Sequence, residues 1–176
     1  NVFKEAWAFV QVAGLYAAGQ FFAYSNPWLA TVLLGLGMVQ AGWLGHDYVH
    51  GRGPLCDALR YMPTLLNGHS VEWWSQKHSM HHTFTNEEHL DNDVMMEPFF
   101  FLRPPSESGR PDSAMRKYQH IYGYPLLSIM FWLWRFHSAE SAWKRKDKKE
   151  LVLLGINYFW LATCMPWQKC GPLPKD

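Results

Sequence analysis

The sequence predicts an all-α membrane protein with four transmembrane helices in two hairpins and a histidine-bearing helical region between them. Three observations carry this. Forty consecutive residues, Ala6 to Gly45, contain no Asp, Glu, Lys, Arg or His, and a second such gap runs from Leu151 to Gln168. Between them, from Asp47 to Lys117, lie seven basic and ten acidic residues. Whole-chain averages hide this division: the net charge is +1 and the mean hydropathy is −0.22. A soluble helix needs a polar face, which forty uncharged residues do not readily supply. The near-zero charge argues against a nucleic-acid binder. A chain that is 48% hydrophobic and 16% aromatic is not a disordered one.

The first charge-free stretch is interrupted at Ser25-Asn26-Pro27. Asn-Pro is a turn signal, and Pro suits the first turn of a helix. Residues 6–24 and 27–44 are therefore expected to cross as a tight hairpin, since about 20 apolar residues span the hydrocarbon as a helix. Gly14, Ala17, Ala18, Gly35, Gly37 and Gly42 offer close helix packing. Gln11, Gln20 and Gln40 are expected to face protein, because an amide in hydrocarbon needs a partner. Residues 45–120 form the polar region, with helix-compatible stretches at 54–66 and 70–84. The breaker-rich run at 103–111 reads as an exposed loop. Residues 121–136 form a short, weak third crossing that contains Pro125 and Arg135, and residues 151–168 form the fourth. Lys144–Glu150 (KRKDKKE) reads as a solvated helix face or loop. Four crossings would put that basic run on the side opposite the histidines, against the positive-inside tendency. Cys56, Cys164 and Cys170 form no disulfide framework. The first residue is Asn and the last residues close no element, which reads as an internal fragment.

Five of the nine histidines fall in two boxes: His46 and His50 in HDYVH, and His78, His81 and His82 in HSMHH. On a helix, residues three and four apart share a face. His46 and His50 point one way from the end of the second membrane helix, and His78, His81 and His82 cover an arc of about 100°. H-x-x-x-H arises easily by chance in a histidine-rich chain, whereas H-x-x-H-H does not. Imidazole suits Fe, Zn, Cu and Ni, and five imidazoles exceed what one tetrahedral zinc takes. Two irons beside lipid chains would fit oxygen-dependent attack on an unactivated C–H bond.

GHDYVHGRG (45–53), WWSQKHSMHHTFTN (73–86), DND (91–93) and YQHIYGYPLL (118–127) resemble the membrane fatty acid desaturases, most closely the front-end branch linked to cytochrome b5. The resemblance runs from Ala6 to Trp167. It implies a di-iron centre held by His46, His50, His78, His81 and His82, with O2 as co-substrate. It also implies an acyl-lipid or acyl-CoA substrate, cytochrome b5 or a similar electron donor, and residence in the endoplasmic reticulum membrane with the boxes facing the cytosol. Val49 stands where the family often has Gly. No third box of the form H/Q-x-x-H-H follows Trp167, and no cytochrome b5 haem motif is present. Truncation at both ends accounts for both.

Asp47, Asp91 and Asp93 are candidates to hydrogen-bond ligand imidazoles and fix their tautomers. The plainer alternatives are a helix-end charge facing water for Asp47 and loop solvation for the other two. Asn86 fits either such a role or a turn. His69, His89, His120 and His137 are not assigned as ligands. One of Trp73 and Trp74 is expected to anchor a helix at the membrane interface, and an acyl-tunnel wall is the alternative. A hydroxylase on the same scaffold, a membrane zinc hydrolase and a non-catalytic membrane scaffold are the rival readings.

Overall fold

Asn26 accepts a hydrogen bond from the Leu29 amide at 3.1 Å and Pro27 takes the first helical position, so the chain reverses sharply between two long helices. The computed structural model describes residues 2–94, 96–108 and 112–164. The first hairpin is α1 (Val2–Phe22) and α2 (Pro27–His50). Gly51 ends α2, its N–H bonded to the Asp47 carbonyl at 2.8 Å. Two short helices follow, α3 (Pro54–Leu59) and α4 (Met62–Asn67), each with proline in its first turn. Then come α5 (Val71–Thr83), one turn of helix at α6 (Pro105–Ser108), the long α7 (Ala114–Arg145) and α8 (Lys148–Cys164). The described residues contain no strand, so the all-α expectation holds.

Small residues let the hairpin close. A side chain at Gly19 would strike Leu34, and one at Gly37 would strike Tyr16 and Leu15. Ala30, Leu34 and Ala41 are buried along the contact. Gly14 and Gly35, expected to pack, face open space instead. Of the three glutamines expected to face protein, Gln20 does so. Its amide donates to the Cys164 carbonyl at 3.0 Å and accepts from the Trp160 indole at 3.1 Å. Gln11 and Gln40 are exposed. Among the described residues, α2 is the one helix long and apolar enough to cross a membrane, with a mean hydropathy of 1.4. Its outer face presents Trp28, Val32, Leu36 and Trp43.

The chain then folds back along the hairpin. The Gly45 surface receives Pro63, and α4 ends beside the middle of α2, where Asn67 donates to the Met38 carbonyl at 3.0 Å. A helix leaves its last carbonyls without partners, and here three other helices supply them. Asn157 of α8 donates to the carbonyls of Leu65 and Leu66, both at 2.9 Å. Tyr16 of α1 donates to the Leu66 carbonyl at 3.0 Å, Arg135 of α7 to that of Asn67 at 3.0 Å, and Tyr158 of α8 to that of Gly68 at 3.1 Å. Gly68 makes the exit turn at φ +70°, a left-handed conformation, with Asn157, Tyr158 and Arg135 crowded against its α-carbon.

The start of α5 is fixed by a second buried junction. Ser70 caps the helix, accepting from the Trp73 amide at 3.1 Å while donating to Glu150 at 2.5 Å. Glu150 is 1% exposed and also accepts from the Glu72 amide and from Arg145.

That junction corrects the expected topology. Cys164, at the end of α8, meets Gln20 near the hairpin turn. The start of α8 therefore lies at the histidine end, where Lys149 sits over the Tyr61 ring. The basic run joining α7 to α8 is on the histidine side, not across from it. Residues 121–136, the expected weak third crossing, do not stand as an element of their own. They are the middle of α7, whose first turns are held by the loop after the second box: Gln119 accepts from the Phe101 amide at 2.7 Å, and Tyr122 donates to the Phe99 carbonyl at 2.8 Å. Residues 165–168 of the expected fourth crossing, Cys170, Trp167 and residues 109–111 of the expected loop lie outside the described residues.

Replacing Asn157 by Leu would strip the Leu65 carbonyl of its side-chain donor and leave that of Leu66 with Tyr16 alone. Thermal melting of the full-length protein should show it about 2 kcal/mol less stable, while Thr163→Val on the exposed face of the same helix should melt as the parent does.

Candidate metal centre

His46 and His50 occupy the last two turns of α2, and His78 and His82 the matching face of α5. Ring centroids are 4.7 Å apart for His46–His50, 5.0 Å for His46–His78, 4.8 Å for His50–His82 and 4.4 Å for His78–His82. One nitrogen from each of the four lies within 4.8 Å of the others. The Nε2 atoms of His78 and His82 are 2.9 Å apart, a separation that a shared proton or a common cation explains. Burial and the neighbouring imidazoles push His78 down to about 4, so it is neutral at physiological pH with a lone pair to offer. Converging imidazoles are the donor set of a borderline transition metal.

His81 falls in a different group. It is one position from His82, and about 100° of helical rotation carries it off the shared face. Its Nδ1 meets Asp91 at 2.9 Å, which leaves Nε2 free for another partner. Its ring still lies 5.8 Å from His82 and 6.0 Å from His78. Asp91 is fully buried and also accepts from the backbone amides of Asn86 at 2.8 Å and Asp93 at 2.9 Å. Burial pushes its carboxyl up, but the Asn86 amide, His81 and the Lys77 charge together hold it below the usual range. Asp93 pairs with Lys77 and stands 3.7 Å from His81. Asp47 meets His46 Nδ1 at 3.2 Å but is 78% exposed, so it holds the ring only loosely. Asn86 takes the turn role, at φ +62°.

The two tryptophans before the second box divide their work. Trp74 stacks on His78, with centroids 4.2 Å apart and planes at 25°. Trp73 turns towards α7, stacking on His137 at 6.3 Å. Trp74 also lines a cavity of about 490 Å³ between α2, α5 and α7. Met38, Val39, Trp43, Phe131 and Trp134 make its apolar wall, and His46 and His78 border it. An apolar cavity bordered by two of the four clustered imidazoles can bring a hydrocarbon chain to a bound metal.

The wall of this cavity was not legible in the sequence, because Phe131 and Trp134 lie far along the chain in a stretch that reads as plain packing. His69 was likewise unassigned. Its ring sits edge-on to Phe131 at 4.9 Å, and its Nε2 is buried without a partner. Burial, and secondarily the Arg135 charge, push it down to about 4. Folded protein therefore stays unprotonated there while the unfolded chain takes up a proton below about 6.5. Stability should fall as pH drops from 6.5 towards 4, by up to about 3 kcal/mol. Melting curves of His69→Leu across that range should be visibly flatter than those of the parent.

A family model described as fatty acid desaturase matches residues 23–169. The chain is similar to an acyl-lipid 8-desaturase of Rebecca salina, 29% identical over 133 residues, covering 70% of this chain and 31% of the relative. It is 30% identical over 153 residues to a delta-6 fatty acid desaturase of Caenorhabditis elegans, covering 80% and 34%. An acyl-lipid (9-3)-desaturase of Physcomitrium patens is 28% identical over 148 residues, covering 73% and 28%. The chain thus spans about a third of the length of these relatives. No solved structure matches it.

Proposed function

The chain belongs to the fatty acid desaturase family, and from that premise we propose that residues 1–176 are the part of an oxygen-dependent di-iron acyl desaturase that carries its first two histidine boxes. The observation that carries this reading is the convergence of His46, His50, His78 and His82 beside an apolar cavity. These four would hold metal through their clustered nitrogens, and His81 would add its Nε2. Asp91 would fix the His81 tautomer and raise its basicity through the Nδ1 bond. Iron bound there would supply the oxygen chemistry.

The protein's own part is to position the chain and keep water out. The wall from Met38 to Trp43 and from Phe131 to Trp134 would hold an acyl chain so that one pair of adjacent methylenes faces the histidines. Two hydrogens leave those methylenes as the double bond forms. With one O2, two electrons and two further protons they end as two waters. The electrons would come from cytochrome b5 or a similar donor, and the substrate would be an acyl lipid or acyl-CoA. We place α1, α2 and α8 across the membrane, in place of four crossings, with the boxes on the cytosolic side of the endoplasmic reticulum. The names of the relatives, two of them acyl-lipid desaturases, support the lipid substrate class.

The test is expression of the full-length protein in a host without this desaturation, with fatty acid profiling and metal analysis of the purified protein. A new unsaturated acyl chain and bound iron are expected. His78→Ala and His82→Ala should abolish both, and Asp91→Asn should lower metal retention about tenfold. Zinc without iron in the active protein would support a hydrolase, and unchanged product in His78→Ala and His82→Ala would remove the ligand assignment.

A further inference from the structure

The basic turn between α7 and α8 is left unused by the metal centre. Lys144–Glu150 carries five cations against two carboxylates. Both carboxylates are committed locally: Glu150 to Ser70, Glu72 and Arg145, and Asp147 to the Glu150 amide at 3.0 Å. Lys146, Lys148 and Lys149 have no carboxylate partner among the described residues. Lys149 instead lies over the Tyr61 ring, its Nζ 3.5 Å from the centroid. Arg60, next in the chain to Tyr61, keeps a buried Nε with no hydrogen-bond partner.

Lys149 and Tyr61 stand at one end of a second cavity, of about 500 Å³. It runs between α1, α4 and α8 towards Tyr16 and Leu66, walled by Phe9, Val12, Ala13, Leu59 and Leu153. It shares no lining residue with the cavity at His46 and His78. Its long axis is therefore apolar, and its one charged wall residue sits at the histidine end, where the other turn lysines gather. With α1 and α8 across the membrane as proposed above, a tyrosine and lysines above an apolar slot match the two halves of a lipid. A free anion would meet only an exposed, screened turn, and a neutral lipid would leave the lysines without a counter-charge.

We propose that this groove and its cationic end form a binding site for an anionic phospholipid, with one acyl chain in the groove and the phosphate at Lys149. The lipid is a bound partner of the fold and lies apart from the acyl chain that would be desaturated. Removing turn lysines should weaken binding about fivefold each. Filling the groove should weaken it without changing any charge.

The experiment uses full-length protein in phosphatidylcholine nanodiscs, with phosphatidylglycerol titrated in. Bound lipid is counted by native mass spectrometry, and the melting temperature is read alongside. Phosphatidylglycerol should bind and raise the melting temperature, and inorganic phosphate alone should do neither. The Lys146→Gln/Lys148→Gln/Lys149→Gln variant should bind about a hundredfold more weakly. Ala13→Trp, which fills an exposed part of the groove, should also lose the bound lipid. Each variant should melt like the parent in phosphatidylcholine alone, which separates lost binding from lost folding. Equal retention of phosphatidylcholine and phosphatidylglycerol, full protection by inorganic phosphate, or parental binding by either variant would overturn the proposal. Iron content and product formation do not enter the readout, so the result stands apart from that of the desaturase test.

Discussion

The carbonyls that end α4 are the constraint on which the rest of the structure depends. A six-residue helix that finishes among three long helices leaves its last backbone oxygens largely shielded from water, and each unmet buried oxygen costs about 1–3 kcal/mol. Tyr16, Arg135, Asn157 and Tyr158 meet those of Leu65, Leu66, Asn67 and Gly68. Because the donors come from α1, α7 and α8, satisfying this one helix end fixes where three other helices stand. It also fixes the start of α5, only three residues beyond Gly68, and so the height at which the second box meets the first. Arg135 gains from the same arrangement: a guanidinium in an apolar stretch finds the negative end of a helix and the face of Phe131, 4.1 Å away.

The histidine cluster draws on that rigidity. Four imidazoles with nitrogens within 4.8 Å of one another repel a proton, as His78 shows. Only a scaffold held together elsewhere can keep four such lone pairs aimed at one region. Trp74, stacked on His78, blocks the simplest escape of that ring, and Asp91 holds His81 by a bond that a rotation would break. Asp91 can do so because its other lone pairs are occupied by the Asn86 and Asp93 amides. The DND segment is thus a backbone-anchored carboxylate first and a source of charge second.

Much of this was legible in the sequence where one local rule governed the outcome. Asn26-Pro27 announced the hairpin because the cap and the proline act within four residues. The two boxes announced a shared site because helical spacing alone puts His46 beside His50 and His78 beside His82. The same spacing also contained the separation of His81, as the far edge of a 100° arc, and the DND run offered Asp91 as a partner for an imidazole without saying which one. What was not legible was everything decided by contacts far apart in the chain. Gly14 and Gly35 carry the same composition signal as Gly19 and Gly37, yet only the latter pair meets a neighbour. Gln11 and Gln40 differ from Gln20 only in which way their helix faces turn. The stretch at 121–136 shows the same limit: its apolar residues are real, but they are the middle of a 32-residue helix whose first turns bind the loop after the second box and whose last residue binds Glu150.

That last point bears on how the basic turn is held. A run with five cations read in isolation belongs in water, and four crossings would have sent it to the far side of the membrane. Glu150 decides otherwise. Its carboxylate sits at the start of α5, where the Glu72 amide and the Ser70 hydroxyl await an acceptor and where the helix dipole favours negative charge. Leaving that carboxylate buried without Arg145 would cost more than the turn could recover, since an unpaired buried charge is worth about 3–5 kcal/mol. Arg145 must therefore follow Glu150 to the histidine end, and the lysines between them go with it. A buried acid that needs its arginine thus sets the end of the fold at which these lysines lie.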